Sequence, residues 1–345
     1  MDPLLKKIIE SAGISGYEND ISVIMKQELK KSADEITVDN FGNIIARKGK
    51  GGRRIMLAAH MDEIGLMVKH VSKEGYISFI KIGGIDDRVL PAQRVIIKAK
   101  KGDVYGIIGT KPPHLLREEE RKQPLKYDTM FIDIGCSSKE EVLKKIDISD
   151  PVIFEPNAGV LNGKVCYGKA PDDRVGCYVL LKIMERIKGI KAEVYGVATT
   201  QEEVGLKGAR VSSFRLNPDF AMAVDTTVAG DTPGVGERET DLKIGKGVAI
   251  TIIEAAGRGL LVNGKVKEMF FDVAQKNKIK YQIDVVEGGM TDGAIIAMNR
   301  DGILTGTIAV PCRYIHSPTG VFHLDDVESA IELGVKVVER VAKGI

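Results

Sequence analysis

Tryptophan is absent from the 345-residue chain, aromatic residues make up only 5 % of it, and cysteine occurs only as Cys136, Cys166, Cys177 and Cys312. No two of these cysteines stand in a C-x-x-C spacing, so they read as reduced thiols of a cytoplasmic protein. Net charge is nearly lacking as well: 50 Lys+Arg against 48 Asp+Glu leaves +2, which argues against a dedicated nucleic-acid binder. No apolar run reaches the roughly 18 residues of a membrane span. The opening Met1-Asp2-Pro3 lacks the basic and apolar regions of a signal peptide. Internal repeats and low-complexity tracts are missing too. What is present is ordinary for a soluble globular protein, 43 % hydrophobic and 28 % charged. The length suggests about two domains and a core that needs no disulfide or metal staple.

Along the chain, Asp2 and Pro3 signpost a first helix, and Ile21, Ile24, Met25 and Leu29 mark a second over Tyr17–Lys31. A strand over Asn43–Arg47 and a buried apolar run Ile55–Ala59 ending at His60 follow. From Gly65 to Leu161 the texture changes to short β-like runs separated by Gly/Pro turns and one charged loop, Lys111–Asp128. Afterwards strands (Glu193–Thr199, Phe220–Val224, Val248–Ile253, Lys280–Val286, Leu304–Val310) alternate with helices (Asp173–Ile187, Leu261–Gln275, Asp292–Met298, Asp325–Ala342). The pattern predicts an α/β fold with helices covering a central sheet, formed by residues 1–64 and 162–345 and interrupted by a β-rich module over residues 65–161.

Histidines and acidic residues fall where such a sheet binds ligands, at the carboxyl ends of its strands. His60 ends one strand, Glu202 and Glu203 follow another, Asp225 ends a third, His316 follows a fourth, and Asp172-Asp173 open a helix. Singly, each has a plain reading: a core histidine, a solvated acidic pair, a helix cap. Together they crowd carboxylates into one crevice and call for cations. Three carboxylates (Asp172, Glu203, Asp225) with two neutral imidazoles and one hydroxide balance two divalent ions, provided one carboxylate bridges. The mixed N/O donors suit zinc or cobalt. Glu202 is then free to act as general base, and Asp62 can hold the second ring nitrogen of His60.

The motifs His60-Met61-Asp62-Glu63-Ile64-Gly65, Asp172-Asp173-Arg174-Val175-Gly176, Gln201-Glu202-Glu203-Val204-Gly205, Asp225 with Ala229-Gly230-Asp231-Thr232-Pro233-Gly234, and Cys312-Arg313-Tyr314-Ile315-His316-Ser317-Pro318 occur in that order. The set resembles the tetrahedral (TET) aminopeptidases, glutamyl-aminopeptidase-like enzymes with two co-catalytic metals. The resemblance implies Asp172 as bridging ligand with a cis bond to Asp173. It implies one metal on His60 and Asp225, the other on Glu203 and His316, with Glu202 as base and Asp62 orienting His60. It further implies a PDZ-like dimerisation domain in the insert, assembly into a hollow homododecamer, and peptide substrates with a free N-terminus. Many relatives carry glutamate where this chain has Gly320 and Thr-Asp-Ala where it has Thr291-Asp292-Gly293, two expected loop positions that bear on side-chain preference.

Other readings are weaker. Gly259 to Val266 nearly spells a phosphate-binding loop, but Val266 lacks the hydroxyl that binds magnesium. Adjacent Glu202 and Glu203 are poorly placed to flank a glycosidic bond. A metal-dependent deacylase or an N-terminal deblocking peptidase would use the same residues on a blocked amine. A purely structural scaffold requires the ligands to be missing. His70 reads as exposed, His114 as part of a mobile charged loop, His323 as a residue near the last helix, Lys243 and Lys246 as solvated, and Arg313 as a brace for the His316 loop.

Overall fold

A computed structural model describes residues 1–344. Alternation along the strand Arg53–His60 sets the layering. Ile55, Leu57 and Ala59 belong to a core packed under the helices Pro171–Arg186 and Leu324–Lys343. Met56 and Ala58 belong to a smaller one under the helices Lys207–Leu216 and Asp292–Ala297. A mixed sheet of 11 strands therefore carries helices on both faces. Its centre is parallel: Ala192–Thr199, Arg53–His60, Phe220–Val228 and Leu304–Arg313 lie side by side in that order. All four run nearly without an exposed residue, as strands covered on both sides do.

Short antiparallel strands flank this centre, and several were not foreseen: Glu35–Val38, Gly159–Asn162, Val165–Gly168 and Gly320–His323. Each is only four residues long, too short to show a period. The helix Lys207–Leu216 was missed for another reason. Its buried face is Gly208, Ala209, Ser212 and Ser213, so it has no apolar stripe. Two of the strands run past the sequence reading, to Val228 and Arg313, which places Asp225 inside a strand rather than at its end.

Between Gly65 and Phe154, six strands close into a barrel in the order Gly65–Val71, Ile77–Ile82, Phe131–Asp133, Gly102–Gly109, Arg94–Ala99, Pro151–Phe154. It has its own core, including Leu66, Val95, Ile97, Ile132 and Val152. Among the described residues no helix is long and apolar enough to cross a membrane. The near phosphate-loop match is a helix start. Asn263 caps the helix Gly264–Lys276 through the Lys265 amide, and Val266 is fully buried.

Phe270 on that helix is 1 % exposed, its ring 6.4 Å from that of Phe220. Phe270→Ala is expected to lower unfolding stability by about 3–5 kcal/mol, read from denaturant midpoints; a change under about 1 kcal/mol would mean the helix is not anchored through this ring.

Candidate active site

The parallel centre directs the carboxyl ends of its four strands to one side of the sheet. His60 is the last residue of its strand, Glu202 and Glu203 lie in the turn after Thr199, and His316 follows Arg313. Asp172 comes from the mouth of the helix Pro171–Arg186, where Asp172 and Asp173 are themselves non-helical. The peptide bond between them is cis, as expected. The Asp173 carboxylate accepts the Gly176 amide at 3.0 Å and the His60 amide at 3.1 Å. Asp173 thus does the capping, and Asp172 is left to face the imidazoles.

Asp172 sits between the two histidines. Its Oδ1 lies 3.2 Å from His60 Nε2 and its Oδ2 lies 3.3 Å from His316 Nε2. Around His60 Nε2, Asp225 Oδ1 and Glu202 Oε2 both stand at 3.8 Å. Glu203 Oε2 is 3.5 Å from His316 Nε2. Two triads result, His60/Glu202/Asp225 and Asp172/Glu203/His316, each with one ligand atom per residue mutually within 4.8 Å. Both triads are compatible with a metal ion.

The far ring nitrogens are held by backbone. His60 Nδ1 is 3.1 Å from the Asp62 carbonyl and 3.6 Å from its carboxylate, so the carbonyl, not the expected carboxylate, is the nearer partner. The carboxylate is engaged elsewhere. It accepts the Glu202 amide at 3.0 Å, the Glu203 amide at 3.1 Å and the Ser15 hydroxyl at 2.7 Å. His316 Nδ1 is 2.8 Å from the carbonyl of Gly84. A Cβ on Gly84 would come within 3.0 Å of that nitrogen, so the absence of a side chain permits the approach.

Burial and crowding control the charges. Burial pushes the Glu203 carboxyl up to about 7, with the charge of Asp172 adding to it. Burial also holds Glu202 and Asp225 well above the carboxylate range. Asp172 goes the other way: burial opposes its charge, but hydrogen bonds from His316 and His60 keep it ionised. For His316, burial disfavours the cation, yet Asp172 and Glu203 outweigh it and raise the imidazole to about 10. His60 is raised well above its usual value in the same way, chiefly against burial by Glu202. The cluster thus keeps its carboxylates tolerable by holding protons. Among the described residues Glu203 Oε1 is buried without a hydrogen-bond partner. A set of oxygens and imidazoles short of positive charge fits bound divalent cations.

Asp292 belongs to this neighbourhood; the sequence offers it as a helix start within the Thr291-Asp292-Gly293 triplet, which was tied to side-chain preference and not to the metal cluster. It is 2 % exposed, accepts the Thr199 hydroxyl at 2.5 Å, and burial lifts it to about 6. The signal is that triplet, together with its place at the mouth of a helix beside the sheet. Gly320 and Gly293 are not in loops as expected: Gly320 starts the strand Gly320–His323, and Gly293 lies in the first turn of Asp292–Ala297. Both are tight positions, where a Cβ would meet Pro171 Cγ at 2.9 Å and Thr307 Oγ1 at 2.6 Å respectively. His323 caps the last helix through the Asp325 amide. His70 and His114 are exposed. Arg313 holds Asp231 through two hydrogen bonds, at 2.8 and 2.6 Å, bracing the His316 loop as anticipated.

Comparison with known proteins matches residues 42–333 to the M42 glutamyl aminopeptidase family. The chain is 35 % identical to the lysyl aminopeptidase of Pyrococcus furiosus over 98 % of its own length and 96 % of the relative's. Among solved structures, a TET aminopeptidase from a marine sediment Thaumarchaeota archaeon superposes with a TM-score of 0.95 at 38 % identity, covering 98 % of this chain and 95 % of that one. A Pyrococcus horikoshii TET peptidase, described as assembling into a tetrahedron or a large octahedral shell, superposes with a TM-score of 0.87 at 36 % identity, covering 97 % and 98 %.

A metal-ligating imidazole must be neutral, whereas His316, raised to about 10, carries a proton at pH 7. Uptake of zinc or cobalt by the metal-free protein at pH 7 is therefore expected to release about one proton or more per chain. The apparent affinity should fall as the pH is lowered. Titration in weak buffer with a pH indicator checks this, and uptake without proton release contradicts it.

Proposed function

The chain belongs to the M42 glutamyl aminopeptidase family and is a hydrolase of peptide bonds; from that premise we propose that it removes N-terminal residues from peptides at a two-cation site with Glu202 as general base. The observation that carries this reading is the pair of triads joined through Asp172, one carboxylate oxygen toward each imidazole. His60 and Asp225 would hold one ion, Glu203 and His316 the other, and Asp172 both. Zinc or cobalt suits this mixture of nitrogen and oxygen donors better than magnesium or calcium. Such ions, when bound, supply Lewis acidity toward the scissile carbonyl and a lowered pKa for the attacking water.

The protein's own groups do the rest. Glu202 is 9 % exposed, and burial keeps its carboxyl prone to hold a proton. It takes the proton from the attacking water and returns it to the leaving amine. Asp62 fixes the amides of both Glu202 and Glu203, so the base and its neighbour are aimed by one buried carboxylate. A narrow cleft lined by Ile64, Pro171, Tyr314 and Ile315 also includes Asp172, Glu203 and His316 in its wall, so it opens directly onto the site.

Residues 65–161 form the inserted module in this reading, a PDZ-like domain that serves dimerisation, while residues 1–64 and 162–345 form the catalytic domain. The reading extends to a closed homo-oligomeric shell, a tetrahedral dodecamer built from dimers; the assembly of the Pyrococcus horikoshii relative into a tetrahedron or a large octahedral shell supports a closed shell. Peptides then reach the site only from inside.

Two experiments test the proposal. A mixed peptide, free or N-acetylated, is incubated with and without chelator and followed by mass spectrometry. A ladder shortened from the free N-terminus, abolished by chelation, is expected; equal trimming of the acetylated peptide would favour a deblocking or deacylating enzyme. Glu202→Gln should lower kcat by about a hundredfold or more while metal content is retained. Near-normal turnover in that variant would remove Glu202 from the role of base.

A further inference from the structure

The segment from Ser11 to Glu18, between the helices Pro3–Glu10 and Asn19–Leu29, lies outside the residues that match the family. It nevertheless touches three of the loops that carry the site. Toward the His60 loop, Ser15 donates its hydroxyl to Asp62 Oδ2 at 2.7 Å, and the Gly13 carbonyl accepts the Glu63 amide at 2.9 Å. Toward the Asp172 loop, the Ser11 carbonyl accepts Lys169 Nζ and Arg174 Nη1, both at 2.9 Å. Toward the Glu202 loop, Glu18 Oε1 accepts the Gln201 amide at 3.1 Å as well as the Gly16 amide at 2.7 Å.

These contacts are deep. Ser15 is 7 % exposed, Glu18 8 %, and Asp62, Lys169, Arg174 and Glu63 are at most 2 %. Glu63 locks the second contact from inside, since it bonds Lys169 and lies 3.3 Å from Arg174 Nη2. A Cβ at Gly13 would come within 2.9 Å of that same guanidinium nitrogen, so the strap fits closely against the network. Gln201, held by Glu18, has a φ of +55°, a left-handed conformation uncommon for a residue with a side chain, directly before Glu202.

On the functional reading given above, we infer that this strap is a positioning element of the active site, with Ser15 and Glu18 as its two positioning residues. Ser15 saturates the Asp62 carboxylate, whose remaining acceptor capacity is spent on the Glu202 and Glu203 amides. Without the hydroxyl, a fully buried carboxylate loses one partner and is free to turn away from those amides. Glu18 holds the peptide that enters Glu202 in its left-handed form. The strap thereby sets the spacing between the base and the two imidazoles without touching substrate.

The test compares Ser15→Ala, Glu18→Ala, Glu18→Gln and, as a control on the same strap, Tyr17→Ala, whose side chain is 40 % exposed. Each is loaded with cobalt and examined for kcat and KM on a free peptide, visible cobalt absorption and thermal midpoint. Ser15→Ala and Glu18→Ala are expected to lower kcat by about tenfold with little change in KM, and to shift the cobalt spectrum, with the thermal midpoint held. Glu18→Gln, which keeps an acceptor oxygen, should recover most of the loss, and Tyr17→Ala should match the parent. Unchanged kcat and spectrum in both alanine variants overturns the inference. So does a loss that only follows lowered thermal stability, with Glu18→Gln no better than Glu18→Ala. If the parent protein itself trims no peptide while the cobalt spectrum still responds to Ser15→Ala, the aminopeptidase reading fails and the positioning of the site stands.

Discussion

The active site depends on one carboxylate with two partners. Asp172 offers one oxygen to His60 and the other to His316, and the acidic side chains gathered around those imidazoles are arranged with respect to it. Its position requires a neighbour to relieve it of an ordinary task. A carboxylate at a helix mouth normally caps the first turn, and here Asp173 does so through the Gly176 amide while also binding the His60 amide. The helix is anchored by one aspartate, and the preceding one is released to the crevice.

The same economy recurs in Asp62, which receives two consecutive amides and one hydroxyl and so fixes the turn bearing Glu202 and Glu203. The parallel centre of the sheet makes these arrangements meet. His60, Asp225 and the residues after Thr199 and Arg313 approach from strands that end on one side, and the barrel adds the Gly84 carbonyl behind His316. Burial makes each charge expensive, so the cluster retains protons until cations replace them.

Much of this was legible in the sequence because the chemistry is written in short motifs at strand ends. His60, Asp172, Glu202, Glu203, Asp225 and His316 were brought to one crevice by an α/β pattern alone, and the structure gathers them. The long strands and helices were legible from their periods. What was not legible depends on contacts between distant segments. Ser15 and Glu18 belong to no motif, and only the fold lays them against Asp62 and Gln201. Asp292 has no spacing to a ligand that a linear reading could detect. The Lys207–Leu216 helix turns a face of glycine, alanine and serine inward, so hydrophobic patterning had nothing to register. That the Asp62 carboxylate, 3.6 Å from the His60 imidazole, also takes two backbone amides likewise depends on where the Glu202 turn arrives.

The central claim is that two cations share Asp172. The most direct measurement is X-ray diffraction from crystals grown with zinc, with anomalous difference maps collected above and below the zinc edge. The account predicts two peaks about 3.5–4 Å apart, one against His60 and Asp225 and one against Glu203 and His316, with Asp172 touching both and Glu202 touching neither. A single peak, or a pair in which Glu202 replaces Asp225 as a ligand, would contradict it.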